Sequence, residues 1–116
     1  MKLRVHKNNL RLRLSQSEVA RLSQEGSLQD RIEFPDGRAL SFSVESGESS
    51  GAKFEEDSVR VIAPRLDLRH WIETDQEGIQ FETGPLSVAI EKDFQCLHQP
   101  SPEDVDVFPN PMSDKF

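Results

Sequence analysis

Leu3 and Val5, then Leu10, Leu12 and Leu14, alternate with Lys2, Arg4 and His6 and with Arg11 and Arg13. A period of two marks strands with one buried face. Asn8-Asn9 lies between the two runs, and Asn tolerates the positive φ of a two-residue turn. Such a turn predicts a hairpin in which Lys7 opposes Leu10, Val5 opposes Leu12 and Leu3 opposes Leu14. Ser15-Gln16-Ser17-Glu18 follows as a capping box, with Leu14 and Val19 placed for a hydrophobic staple. Val19 and Leu22 then mark the buried side of a short helix that Gly26 can end.

Two more strands are predicted, around Leu28 to Phe34 and Arg38 to Glu45, joined by Pro35-Asp36-Gly37. Leu40, Phe42 and Val44 point inward in the second. After the connector at residues 46 to 51 the order repeats. Strands at Ala52 to Glu56 and Val59 to Ala63 flank Asp57-Ser58, with Phe54, Val59, Val61 and Ala63 inward. Pro64 opens a helix with the stripe Leu68, Trp71, Ile72, and strands at Gly78 to Glu82 and Leu86 to Glu91 follow. At an offset of 49 the first hairpin and helix fall on the second set, Leu12 on Val61 and Leu22 on Trp71. The pattern predicts a mostly β (α+β) fold: two strand-strand-helix-strand-strand repeats, about 1–46 and 51–98, forming an eight-stranded antiparallel barrel or sandwich. The two short helices are expected to plug its ends. Residues 1–98 form the expected single globular domain.

Residues 99–116 differ in kind. They hold four of the seven prolines and four acids, Glu103, Asp104, Asp106 and Asp114, against one lysine. Such a segment is expected to stay extended or disordered.

Composition narrows the function classes. The chain has 116 residues and a net charge of −7, so unaided nucleic-acid binding or a coat on anionic membrane is disfavoured. Its 31 Leu, Ile, Val and Phe residues make up about 27%, above the ~20% that signals disorder. No apolar run approaches a membrane span, and residues 1–7 lack the apolar core of a signal peptide. The single cysteine, Cys96, fits a reducing cytoplasm.

Charge is nevertheless uneven. Residues 1 to 14 carry five Lys and Arg and no acid. With the predicted register, Arg4 faces Arg13 and His6 faces Arg11, like charges whose opposition is unfavourable. An anion is therefore expected over Lys2, Arg4, His6, Arg11 and Arg13. Three sources stay open: outward glutamates such as Glu33, Glu45, Glu82 and Glu91, the acidic tail folded back, or an acidic protein partner or anionic ligand.

Chemistry elsewhere is sparse. Cys96 and His98 are ligand types two residues apart, but zinc normally takes three or four protein ligands and none joins them in sequence. They are weak metal candidates, and as a Cys–His pair they lack an orienting third group. The six glycines make no phosphate-binding cluster. Trp71 belongs to the core stripe, with a ligand pocket beside it as the alternative. No catalytic residue and no cofactor are expected, and the oligomeric state is not encoded in any feature.

The segment Asn9-Leu-Arg-Leu-Arg-Leu-Ser-Gln-Ser-Glu-Val19 resembles the start of a small uncharacterised bacterial protein family. Glu91-Lys-Asp-Phe-Gln-Cys-Leu97 and Phe108-Pro109-Asn110-Pro111 are similar to its ending. The resemblance implies a stand-alone cytosolic bacterial protein and transfers no catalytic residue. The leading expectation is a non-catalytic interaction module that uses the basic hairpin face. The alternative is a small anionic-ligand or metal-binding protein, or an enzyme, with a site near Trp71 or Cys96 and His98.

Overall fold

The computed structural model describes residues 1–93. All ten elements expected from the pattern form: β1 (Lys2–His6), β2 (Asn9–Leu14), α1 (Gln16–Glu25), β3 (Ser27–Glu33), β4 (Ala39–Gly47), β5 (Gly51–Glu55), β6 (Ser58–Pro64), α2 (Arg65–Glu73), β7 (Gly78–Thr83) and β8 (Leu86–Lys92). The expected tail at 99–116, with Cys96 and His98 before it, lies outside the described residues.

Local chemistry explains the helix ends. The Ser15 hydroxyl accepts from the Glu18 backbone N–H, and the Glu18 carboxylate accepts from the Ser15 N–H at 2.9 Å, which closes the capping box. Gly26 ends α1 in the left-handed region at φ 77°, donating its N–H to the Leu22 carbonyl. Pro64 stands at the N-terminal cap of α2 without a side-chain bond.

The strands form two four-stranded sheets, ordered β1-β2-β8-β7 and β3-β4-β6-β5. The architecture is a mostly β, sandwich-like pair of sheets with two short helices. The barrel arm of the expectation is not realised, so the helices plug no open ends; each instead carries the chain from one sheet to the other. Antiparallel pairing throughout is also corrected. The inner strands β2 and β8, and likewise β4 and β6, run parallel. Alternation of apolar and polar residues buries the same face whichever way the neighbour runs, so it is blind to this choice.

Each sheet takes one hairpin from each half of the chain. Exchanging the halves carries one strand order onto the other, and the register follows. Leu3 opposite Leu12 corresponds to Ala52 opposite Val61, and Arg4 opposite Arg11 to Lys53 opposite Arg60. Across the parallel seams, Leu10 beside Val88 corresponds to Val59 beside Phe42. Even the turns agree, since Asn8 O accepts from Ser87 N at 2.9 Å as Asp57 O does from Ser41 N at 3.0 Å.

The first hairpin's register differs from expectation by two residues. Its turn is Lys7-Asn8, with φ 52° at Lys7, not Asn8-Asn9. Asn9 joins β2 and its side-chain amide donates to the His6 carbonyl at 3.1 Å. Likewise the second turn is Glu56-Asp57, both at positive φ, and Ser58 begins β6. A slip of two keeps every side chain on its face, so the apolar pattern cannot detect it.

Leu12, Leu14, Val44, Val61, Ala63, Trp71 and Ile90 are wholly buried in one cluster shared by both sheets and both helices. Phe54, expected inward, is 69% exposed, and its counterpart Val5 is 67% exposed. Both occupy the last inward position before their turn, where the hairpin reaches past the core.

Candidate functional site

Because Leu10, Leu12 and Leu14 point into the core, Arg11 and Arg13 must emerge on the opposite face of the sheet. The observed register sets Lys2 opposite Arg13, Arg4 opposite Arg11, and His6 opposite Asn9. Four of the five candidate residues, Lys2, Arg4, Arg11 and Arg13, thus form two cross-strand pairs of like charge on the outer face of β1–β2. His6 sits at the hairpin tip. The expected pairs Arg4–Arg13 and His6–Arg11 are replaced, for the register reason given above.

Carboxylates reach this face from β8. Glu91 lies beside Arg13 in the parallel ladder, and its Oε1 is 3.4 Å from the Nε atoms of both Arg11 and Arg13. Asp93, just beyond β8, donates its backbone N–H to the Leu14 carbonyl at 2.9 Å and places its carboxylate 2.9 Å from Lys2 Nζ. The hydrogen bond from Lys2 holds the Asp93 carboxyl below its ordinary range; slight burial opposes this, and the charges of Lys2 and Arg13 add to it. Of the four glutamates expected among the arginines, Glu91 answers. Glu45 serves Arg60 on the other sheet, Nη2 to Oε1 at 2.5 Å, and Glu33 lies 3.5 Å from Arg31. Asp93 was missed in sequence, although its place one residue past a strand that ends beside β2 is the signal that finds it.

Beyond Arg11 the same face hollows into a cavity of about 340 Å³, walled by Asn9, Arg11, Gln80, Glu82 and Ser87 among others. Glu82 makes that end less cationic than the β1–β2 edge. A second cavity, about 860 Å³, opens between Leu14, Val19, Ile72, Lys92 and Asp93. Its two charged groups are engaged: Lys92 Nζ donates to the Thr74 carbonyl at 2.6 Å, and Asp93 holds Lys2.

Trp71 offers no face to a ligand. It is wholly buried, its Nε1–H donates to the Glu77 carbonyl at 3.0 Å, and Lys92 Nζ stands 5.6 Å from its ring centroid. The weak metal candidates Cys96 and His98 lie outside the described residues. Among the described residues no three His, Cys, Asp or Glu side chains gather, and no helix is long and apolar enough to cross a membrane.

The family's sequence profile matches residues 1–112. The chain belongs to DUF7009, a family of unknown function. No curated protein matches it. Membership in DUF7009 therefore carries no reaction and no ligand to this chain, and the outer face of β1–β2 stands on its own geometry.

Proposed function

We propose that this DUF7009 protein is a non-catalytic binding module whose working surface is the outer face of the β1–β2 hairpin, and that the surface takes an acidic segment of a protein partner. One observation carries the reading. The two N-terminal hairpins of the halves share register residue for residue, yet residues 2–14 carry five cations and no acid, while residues 51–63 carry two cations and three acids. A hairpin of this shape forms equally well with a net charge of −1. The positive charge of the first one is not needed to fold it, and two like-charged cross-strand pairs work against folding. Charge kept at such a place is suited to steering and holding an anion.

Among the described residues, Glu91 and Asp93 are the carboxylates that contact Lys2, Arg11 and Arg13 on this face. The absence of aromatic side chains among these cations favours an acidic peptide over single-stranded nucleic acid, which binds through stacking. A bacterial cytoplasm is the compartment we assign, supported by the single cysteine. The test compares wild type with Arg4→Gln/Arg13→Gln in affinity capture from lysate. Partners retained by wild type, released by high salt and lost from the variant support the reading. An identical captured set removes it.

A further inference from the structure

We infer that the groove between α1 and α2 is a second binding site, one that takes a single phosphate group through Arg65 and Arg69. It lies apart from the β1–β2 face and does not rest on the reading given for that face.

The groove is a cavity of about 280 Å³. Its floor is apolar, formed by Leu22 and Leu68, both buried, and by Ile72. Both helices and the end of β4 supply its polar wall. Arg65 and Arg69 stand four residues apart on α2, which sets their Cβ atoms about 5–6 Å apart on one helix face. Ser23 of α1 and Ser46 of β4 bring hydroxyls to the same cavity. Gly26, at positive φ, keeps the space open, since a Cβ there would stand 3.7 Å from Ser46 Oγ.

These four polar side chains are not spent inside the chain. Arg21, Arg38 and Arg60 each find a carboxylate, on Glu25, Asp57 and Glu45. Arg65 and Arg69 have none within ion-pair distance among the described residues, and neither serine hydroxyl is hydrogen-bonded there. Glu73 lines the groove one turn beyond Arg69 and pairs with neither arginine. A guanidinium presents paired N–H donors that match phosphate oxygens, and two of them beside two hydroxyls suit a tetrahedral anion. Size narrows the class further. The volume lies just below the roughly 300 Å³ at which pockets for drug-sized molecules begin, so the groove fits a phosphate, free or carried on a small alcohol, and not a nucleotide.

The doubled fold shows that the arginines are not needed to build the groove. Exchange of the halves carries Arg65 to Gln16, Arg69 to Ala20, Ser23 to Ile72 and Ser46 to Lys92. The cavity of about 860 Å³ beside α1 is the counterpart, with Gln16, Val19, Ile72 and Lys92 in its wall. There the cation Lys92 is already held by the Thr74 carbonyl. α1 forms with glutamine and alanine where α2 has its two arginines. One scaffold thus carries a groove with two uncommitted cations and a groove with none.

The test titrates inorganic phosphate into the full chain at about pH 7.5, read by backbone amide NMR, with sodium chloride at matched ionic strength as the reference. The expected result is a saturable shift at Ser23, Gly26, Ser46, Arg65 and Arg69 that chloride does not reproduce. Arg65→Gln/Arg69→Ala, which installs the residues of the other half, should bind phosphate at least roughly tenfold more weakly, and Ser46→Ala should show a smaller loss. Glycerol 3-phosphate, titrated in the same way, separates the two sources. Binding tighter than that of phosphate assigns the site to a monoester whose alcohol rests on Leu22, Leu68 and Ile72, and equal or weaker binding assigns it to the free anion. No saturable shift at these amides, the same shift with chloride, or undiminished phosphate affinity in Arg65→Gln/Arg69→Ala overturns the inference. Shifts confined to Arg4, Arg11 and Arg13 also overturn it and leave the β1–β2 face as the anion site.

Discussion

Arg11 and Arg60 stand at equivalent places in the two halves, and each reaches a glutamate on the strand running parallel beside it. Arg60 binds Glu45 Oε1 through Nε at 3.0 Å and Nη2 at 2.5 Å, while Arg11 Nε lies 3.4 Å from Glu91 Oε1, which Arg13 also approaches. The closer pair should be the stronger. Arg60→Gln is expected to lower stability by about 0.5–1 kcal/mol and Arg13→Gln, whose Nε lies 3.4 Å from the same Glu91 oxygen, by less, the range for half-exposed ion pairs. Urea denaturation of the two variants checks this, and equal or reversed losses would contradict it.

The capping box gives a second measurable quantity. Ser15→Ala removes the acceptor for the Glu18 N–H and should cost about 1 kcal/mol, with Ser15→Asp recovering most of it. Thermal melts of the three proteins are sufficient; a Ser15→Asp variant no better than Ser15→Ala would show that the cap is not what the serine supplies.

Trp71 is the chain's single tryptophan and is wholly buried. Its fluorescence should be blue-shifted and should move red on unfolding in step with circular dichroism. Trp71→Ala should destabilise by about 3–5 kcal/mol through cavity formation. Trp71→Phe should cost less yet remain visible, because the Glu77 carbonyl loses one of its two donors and keeps only the Lys92 N–H. A neutral Trp71→Phe variant would count against that hydrogen bond.

Acid should loosen the N-terminal corner. Burial alone would raise the Glu18 pKa, but the hydrogen bond from the Met1 α-ammonium and the Ser15 N–H outweigh it and lower it below 4.5. A carboxyl with a lowered folded pKa stabilises above its unfolded pKa, and that contribution is lost as pH falls through the folded value. Stability measured from pH 7 downward should therefore decline below about 4.5, and the Glu18→Gln variant should be less stable at pH 7 with a shallower decline. Parallel curves for the two proteins would exclude Glu18 as a contributor.

Much of this architecture is legible in residue order. Ser15, Glu18 and Gly26 write the bounds of α1, and alternating apolar positions locate all eight strands. What escapes is anything that a period of two cannot distinguish: a register slip of two in the first hairpin, and the direction of the strand beside Leu10, Leu12 and Leu14. That strand is β8, some 78 residues away, and no local signal names it. The basic face was visible because charge is read directly from the chain. Its acids were only partly visible, since Glu91 and Asp93 reach Arg11, Arg13 and Lys2 through that distant pairing.

The interlaced halves also set a timetable for synthesis. On the ribosome β1, β2 and α1 emerge early, but the strand that completes their sheet is made last among the described elements. Non-local pairings of this kind are slow to form and leave strand edges open while they wait. The other sheet can assemble sooner, because β3, β4, β5 and β6 are consecutive in the chain. A nascent chain cut short before β8 holds that sheet with a waiting hairpin, Leu10 and Leu12 still lacking Val88 and Ile90. The two halves are equal in space but not in birth order, and the cationic hairpin is the one that must wait.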